Sequence, residues 1–162
     1  MKKIYELHLT FFIDAMIVSG GDFSMKEDRV KIETVFLADD NELSEQLLAS
    51  ILIRNGYKIF RFRSGTELLE RLLRGAYPDL LLIGVVLPGI SGIELLGRLK
   101  EAKIRVKSML IGTSHYLGEM TNAYKFDSVD FIMKPLDFTD VVERVRLCLA
   151  QNIVSDRRTG FA

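Results

Sequence analysis

The residues best suited to chemistry in this chain stand directly after apolar segments. Asp39 and Asp40 follow Val35–Ala38, Thr113 follows a later apolar segment, and Lys134 follows another. Paired carboxylates are hard oxygen donors of the kind that Mg²⁺ prefers, and a fixed ammonium beside them favours an anion. Ligands in open α/β sheets bind just beyond the carboxyl ends of the strands. These side chains therefore predict a polar site, provided that the apolar segments are parallel strands of one sheet.

The chain is organised around the apolar run Leu80–Leu87, which is bounded by Pro78 on one side and by Pro88 and Gly89 on the other. Every position in this run is apolar except Gly84. A short apolar run between turn residues predicts a strand that is covered on both faces, as in parallel sheets. The stretch Pro78–Gly92 is therefore interpreted as the buried central strand and the loop that follows it.

Strands and helices alternate along the rest of the chain. Ser64 and Ser91, each followed three residues later by glutamate, form capping boxes that begin two of the helices. This alternation predicts an α/β fold with a doubly wound, five-stranded parallel sheet of the flavodoxin-like type, strand order 2-1-3-4-5, and helices on both faces. The predicted strands are residues 35–38, 57–62, 80–87, 108–111 and 129–133, and the predicted helices follow them, the fourth over 115–126 and the fifth from 137.

Composition restricts the functional classes. The 162 residues contain 22 basic and 22 acidic side chains, so no overall basic field favours nucleic acid, and we expect no direct contact with it. The single cysteine, Cys148, cannot form an internal disulfide, which favours a reducing compartment and a cytoplasmic location. Leu7–Val18 is apolar but shorter than the roughly 20 residues that span a membrane, so we expect no membrane span.

Three regions are predicted: an N-terminal extension over residues 1–32, a domain over 33–151 and a polar tail over 152–162. The alternation in Leu7–Val18 is compatible with a strand, and its apolar clusters are equally compatible with a short helix. Three origins of the extension stay open: a segment that docks on the domain, a segment that pairs two chains, or an upstream start codon included in error.

The order of these features resembles the receiver domains of two-component response regulators, over about residues 33–151. In that family an acidic pair and an acceptor aspartate hold Mg²⁺, and a lysine pairs with the aspartate or with its phosphoryl group. The resemblance assigns the acidic pair to Asp39 and Asp40 and the lysine to Lys134. Gly84 stands where the family has its phosphoacceptor aspartate, so the resemblance implies a receiver that is degenerate at this position.

Other positions match the family by the same resemblance. Val86 matches the residue whose backbone carbonyl contacts the metal, Pro88 and Gly89 match the loop, and Phe131 matches an aromatic switch residue. The bond between Lys134 and Pro135 is a candidate cis peptide. With only two carboxylates and one carbonyl, the pocket is expected to bind Mg²⁺ weakly or not at all, leaving Lys134 to form an ion pair with Asp40.

The switch hydroxyl of the family has two candidate positions. The ungapped spacing from Gly84 and Lys134 places Gly112 there, whereas a shift of one residue places Thr113 there. A one-residue shift turns a strand side chain to the other face of the sheet, so the two alignments are physically distinct. We favour Thr113 as the switch residue.

The sequence favours a stand-alone, non-enzymatic receiver that takes part in a phosphorelay pathway by protein binding. Its expected partner is a histidine kinase, a phosphotransfer protein or an output protein. The expected surface is the face of the fourth helix, fifth strand and fifth helix, around Tyr124, Phe131 and Phe138. One alternative is a phosphorylatable receiver in which Gly84 is a substitution or another residue is the acceptor. A second alternative is a small nucleotide- or flavin-binding protein, although the phosphate-binding glycine motifs are missing.

Overall fold

The computed structural model describes residues 31–116, 118–119 and 129–150. The N-terminal extension apart from its last two residues, most of the helix predicted over 115–126 and the C-terminal tail lie outside the described residues. Tyr124, which was predicted to belong to the partner face, also lies outside them.

Five strands and four α-helices are described, and they alternate along the chain. A 3₁₀ turn, Ser114–Tyr116, follows the fourth strand. The strands are β1 (Thr34–Ala38), β2 (Lys58–Arg61), β3 (Leu80–Gly84), β4 (Ser108–Gly112) and β5 (Val129–Met133). The helices are α1 (Glu42–Arg54), α2 (Gly65–Leu73), α3 (Gly92–Glu101) and α4 (Phe138–Ala150), the last of which is the fifth predicted helix.

All neighbouring strands are parallel, and their order is β2-β1-β3-β4-β5. This topology confirms the predicted flavodoxin-like sheet. It follows from right-handed crossovers, because each helix carries the chain across one face of the sheet to the next parallel strand. The order of the sheet reverses between β1 and β3, which is where ligands bind in folds of this kind.

Two hydrophobic clusters cover the two faces of the sheet. One is formed with α2 and α3 and the other with α1 and α4, and β3 contributes alternate residues to both. Leu80 and Leu82 face α1 and α4, whereas Leu81 and Ile83 face α2 and α3. All four side chains are fully buried, which is why the central strand is an unbroken apolar run.

The structure corrects the length of the central strand. The apolar run predicted a strand to Leu87, but β3 ends at Gly84. Val85 and Leu87 remain buried beyond the strand, so their apolar character reflects packing of the loop rather than continuation of the sheet. Both predicted serine caps have formed, with Ser64 accepting from the amide of Glu67 and Ser91 from that of Glu94, each at 3.1 Å. The glutamate side chains accept elsewhere, Glu67 from the amide of Arg63 and Glu94 from the guanidinium of Arg98.

The described helices contain none with the length and apolar character needed to cross a bilayer. Cys148 lies half-buried on α4, and burial raises the pKa of its thiol. The thiol is therefore kept neutral.

Candidate functional site

The parallel register brings the ends of four strands to one edge of the sheet. Ala38, the last residue of β1, pairs with Ile83, and Gly84, the last of β3, pairs with Ile111. Gly112, the last of β4, pairs with Met133. The residues that follow these strands therefore meet at the predicted site.

Asp39 is the buried carboxylate of this edge. Its side chain is 1% exposed, and both of its oxygens accept hydrogen bonds. Oδ1 accepts from Nζ of Lys134 at 2.6 Å and from the amide of Asn41 at 3.3 Å. Oδ2 accepts from the hydroxyl of Ser44 at 3.3 Å. The carboxylate is thus held from three directions before any ligand is considered.

Lys134 connects the two carboxylates of the acidic pair. Its ammonium lies 2.6 Å from Oδ1 of Asp39 and 3.0 Å from Oδ1 of Asp40, whose side chain is 45% exposed. The expected ion pair between Lys134 and Asp40 is present, but the shorter contact is to Asp39. The Lys134–Pro135 peptide bond is cis, as the sequence suggested. We call Asp39, Asp40 and Lys134 the acidic pocket.

The three groups of the acidic pocket shift one another's pKa. Burial raises the pKa of Asp39, and the interaction with Lys134 opposes this without reversing it. Contact with Asp39 lowers the pKa of Asp40, and Lys134 lowers it further. Burial lowers the pKa of Lys134, but the two carboxylates outweigh this effect and raise it. The ammonium is therefore the charge that the pocket stabilises most clearly.

β3 ends at Gly84, which has no side chain, at the position where the resemblance places the family's carboxylate. A Cβ atom at Gly84 would lie 2.9 Å from the carbonyl oxygen of Val86 and 3.4 Å from Cδ2 of Leu87. The first distance is shorter than a carbon and an oxygen can tolerate without movement of the backbone. The space beside Gly84 is thus already occupied by the carbonyl that the resemblance assigned to metal binding.

The loop after β3, residues 85–91, is tied to the beginnings of two helices. The amide of Gly92 donates to the carbonyl of Val85, and the amide of Gly65 donates to the carbonyl of Pro88, both at 3.0 Å. Gly89 has a φ of 80°, a left-handed conformation that glycine adopts without strain. These contacts fix the loop over the end of the central strand.

The two candidate switch positions lie at the end of β4. Gly112 is buried and closes the strand, whereas Thr113 follows it with an exposed side chain. The carbonyl of Thr113 accepts from the amide of Tyr116 at 3.0 Å, so this residue begins the 3₁₀ turn. Phe131 lies half-buried in β5 and packs on the α2 and α3 side. The assignment of the switch to Thr113 and Phe131 stays a prediction.

A second ion pair, which was not predicted from the sequence, lies beside the pocket. Glu45 on α1 is buried and receives a hydrogen bond from the guanidinium of Arg61, at the end of β2. The signal was present, because Glu45 precedes Leu48 and Leu52 by three and seven residues and so occupies the buried face of α1. This pair fastens the edge strand β2 to the helix that follows the acidic pair.

The arrangement does not fit the magnesium ion that the resemblance implies. The ammonium of Lys134 contacts one oxygen of each carboxylate, so a cation that bridged those oxygens would meet a positive charge already in place. Among the described residues, no group of three histidine, cysteine or acidic side chains is placed to hold a metal. The resemblance places Gly84 where the family has its third carboxylate, and glycine has no side chain that could bind a metal.

Comparison with known proteins assigns the class. The family described as response regulator receiver domain matches residues 35–146, and the chain belongs to this family. It is thus a receiver domain of a two-component response regulator. The chain is 28% identical over 118 residues to the transcriptional regulatory protein YkoG of Bacillus subtilis. It is 29% identical over 116 residues to the polar-differentiation response regulator DivK of Brucella ovis.

Coverage differs between these relatives. The match to YkoG covers 73% of this chain and 51% of YkoG, so the chain spans about half the length of that relative. The match to DivK covers 70% of this chain and 94% of DivK. Among solved structures, a response regulator from Chloroflexus aurantiacus superimposes with a TM-score of 0.66 at 27% identity, covering 75% of this chain and all of the other.

Proposed function

We propose that this receiver domain acts by binding protein partners and accepts no phosphoryl group at the usual position. The observation that carries the proposal is Gly84 at the end of β3, where the family's aspartate is expected. Phosphoryl transfer to a receiver needs a carboxylate that attacks phosphorus and a cation that neutralises the charge. Glycine supplies no nucleophile and no metal ligand.

The other groups near β3 that could substitute have structural roles. Asp79 lies at the opposite end of the strand, where its Oδ2 accepts from the amide of Thr34 at 2.8 Å. Ser91 is in the loop after β3, but its hydroxyl caps α3 by accepting from the amide of Glu94. Neither contact favours a role as acceptor, which supports the proposal over a phosphorylatable receiver with an alternative acceptor.

The proposal includes several finer statements. The pocket binds Mg²⁺ weakly or not at all, the domain is not an enzyme, and it acts in the cytoplasm. It works as a stand-alone module of a phosphorelay pathway. The match over 94% of the length of DivK supports this last statement, because it shows that a receiver-sized chain occurs among response regulators.

The proposed partner face is the surface around β5 and α4, together with the helix predicted over 115–126. Phe131 of β5 and Phe138 at the start of α4 are both partly buried. They pack on opposite sides of the sheet, since they contact different hydrophobic clusters. Met133 and Leu147 are 38% and 48% exposed and offer apolar contacts. Arg144 on α4 pairs with Asp130 of β5 at 3.2 Å and donates to the carbonyl of Phe131 at 3.0 Å, which links the helix to the strand. A histidine kinase, a phosphotransfer protein or an output protein is the proposed partner.

The acceptor part of the proposal is tested by intact mass spectrometry. The chain is incubated with MgCl₂ and acetyl phosphate, beside a receiver that has the acceptor aspartate as a positive control. We expect the control to gain one phosphoryl group and this chain to stay unmodified. A gain of mass in this chain would overturn the proposal, and Ser91→Ala would then show whether the loop serine is the acceptor.

The partner face is tested by comparing proteins captured from the source cells by immobilised variants. We expect proteins that bind the wild type to be lost with Met133→Glu or Leu147→Glu. Leu73→Glu is the matched control, because Leu73 is 55% exposed but lies on α2, away from the proposed face. Equal loss with all three variants would contradict the proposed surface.

A further inference from the structure

The acidic pocket is complete without any added ion. The ammonium of Lys134 lies within hydrogen-bond distance of both carboxylates, at 2.6 Å from Asp39 and 3.0 Å from Asp40. The Lys134 side chain is only 21% exposed and that of Asp39 only 1%, so water screens their interaction weakly. A buried pair with this geometry holds two segments together because separating it leaves a charge without a partner.

The segments that the pocket joins are the loops after the two strands that flank the central pair. Asp39 and Asp40 follow β1, and Lys134 follows β5. The amide of Lys134 also donates to the carbonyl of Gly112 at 2.8 Å, which aligns the lysine with the end of the sheet. Asn41 accepts from the amide of Ser44 and begins α1, which positions the aspartates. Both partners of the ion pair are therefore fixed by their backbones.

The neighbouring acceptor position gives Lys134 no competing partner. In the receiver family the corresponding lysine pairs with the acceptor aspartate, and here Gly84 has no side chain. The carbonyl of Val86 lies 2.9 Å from the place of a Cβ at that position, so the β3 loop has closed into the space. The ammonium is directed instead to the acidic pair.

We propose that Lys134 is the resident cation of this pocket, replacing the divalent ion that the family binds there. Its ammonium balances one of the two carboxylate charges, bridges both side chains and keeps the loops after β1 and β5 joined without a ligand. This inference rests on the proposed function, because it requires that Gly84 accepts nothing. It adds a regulatory consequence: partners meet a surface whose state depends neither on magnesium nor on a phosphoryl group.

The experiment measures the melting temperature of the whole chain with EDTA and with millimolar MgCl₂, at ionic strength matched by NaCl. We expect magnesium to shift the wild type by less than about 1 °C, because the ammonium excludes it. Lys134→Met is expected to melt about 10 °C lower in EDTA, because it leaves the buried carboxylate of Asp39 without a cationic partner. Magnesium is then expected to restore at least half of that loss by taking the vacated place.

Lys58→Met is the matched control, since Lys58 is exposed and lies at the opposite end of the sheet, at the start of β2. Lys58→Met should neither lower the melting temperature as Lys134→Met does nor make it depend on magnesium. Lys134→Gln gives the same comparison if the methionine variant does not fold.

Two results would overturn the inference. One is stabilisation of the wild type by magnesium to the same extent as Lys134→Met, which would show that the ammonium does not exclude the ion. The other is a lysine variant that stays indifferent to magnesium, which would show that the carboxylates do not form a cation site. Neither result depends on intact mass, so failure of this inference is distinguishable from failure of the proposed function.

Discussion

The two halves of the site at the strand ends differ in whether side chains or backbone atoms form their contacts. The charged half, at the ends of β1 and β5, consists of Asp39, Asp40 and Lys134, and each of these side chains has a partner. The glycine half, at the ends of β3 and β4, consists of Gly84 and Gly112, which contribute only backbone. Both halves belong to one sheet with complete parallel pairing. The difference teaches that the ionic contacts of such a site can join its loops even where the central strand ends in a glycine.

The comparison also separates two kinds of stabilisation. The charged half is stabilised by ion pairs between side chains of opposite charge, so its stability is sensitive to the removal of one charge. The glycine half is held by close backbone packing, so it is sensitive to the addition of one carbon atom. Each of the following variants tests one half and leaves the other intact.

The largest effect is expected from Gly92→Ala, at the packing between the glycine half and α3. A Cβ at Gly92 would lie 2.3 Å from the carbonyl oxygen of Gly84 and 3.1 Å from Cδ2 of Leu110. Since the nearest atom belongs to the backbone, the free energy of unfolding should fall by about 3 kcal/mol in urea denaturation. Gly118→Ala is the control, because among the described residues no atom outside its chain neighbours lies within 4 Å of the added carbon. Equal stability of both variants would show that the glycine half is not closely packed.

The next largest effect is expected from Lys134→Met, in the charged half. Lys134→Met is expected to cost about 3 kcal/mol because it leaves the charge of Asp39 buried and unpaired. Adding Asp39→Asn removes that charge, so the double variant should recover about 2 kcal/mol of the loss. Urea denaturation of the two single variants and the double variant gives the coupling free energy between Lys134 and Asp39. A double variant that is less stable than Lys134→Met would show that the cost comes from lost packing of the lysine chain.

A smaller effect is expected from Gly84→Ala, which adds only a Cβ at the acceptor position. Gly84 does not have a positive φ, so the cost arises from contact with the Val86 carbonyl alone. We expect a loss of about 1 to 2 kcal/mol, smaller than that of Gly92→Ala, because the added carbon approaches a backbone oxygen to 2.9 Å rather than 2.3 Å. Differential scanning calorimetry against Gly118→Ala measures it. A gain in stability would mean that the β3 loop is not closed over Gly84.

The smallest effect is expected from Asp40→Asn. Its side chain is 45% exposed, so water screens its attraction to Lys134, and Asp39 remains as the buried partner. The free energy of unfolding should change by less than about 1 kcal/mol. A loss as large as that of Lys134→Met would assign the main role in the charged half to Asp40 rather than to Asp39.

Much of the fold followed from local patterns in the sequence. The capping boxes at Ser64 and Ser91 marked the starts of α2 and α3, because a capping hydroxyl and a glutamate three residues later satisfy amides of the first turn. The apolar run before Gly84 identified the central strand. Once five strands alternated with helices, the handedness of the crossovers left few possible strand orders. The pairing of Lys134 with the acidic pair followed from that order.

The remaining features depend on distances that no local pattern contains. The approach of the Val86 carbonyl to Gly84 arises from the path of a loop, which hydrogen bonds to two helix starts determine. The pairing of Glu45 with Arg61 joins residues on different elements, so periodicity could indicate a buried glutamate but could not name its partner. The end of β3 was also placed too late, because buried loop residues are as apolar as strand residues.

The two amides that tie the β3 loop to α2 and α3 allow the opening of this loop to be measured by hydrogen exchange. Gly65 and Gly92 donate to loop carbonyls, so their protons exchange with solvent only when the loop opens. If the domain accepts no phosphoryl group, as proposed above, the exchange rates of these two protons report the opening of the loop alone. A partner that recognises the closed loop would slow both exchange rates together, and the ratio of bound to free rates would give its preference for that state.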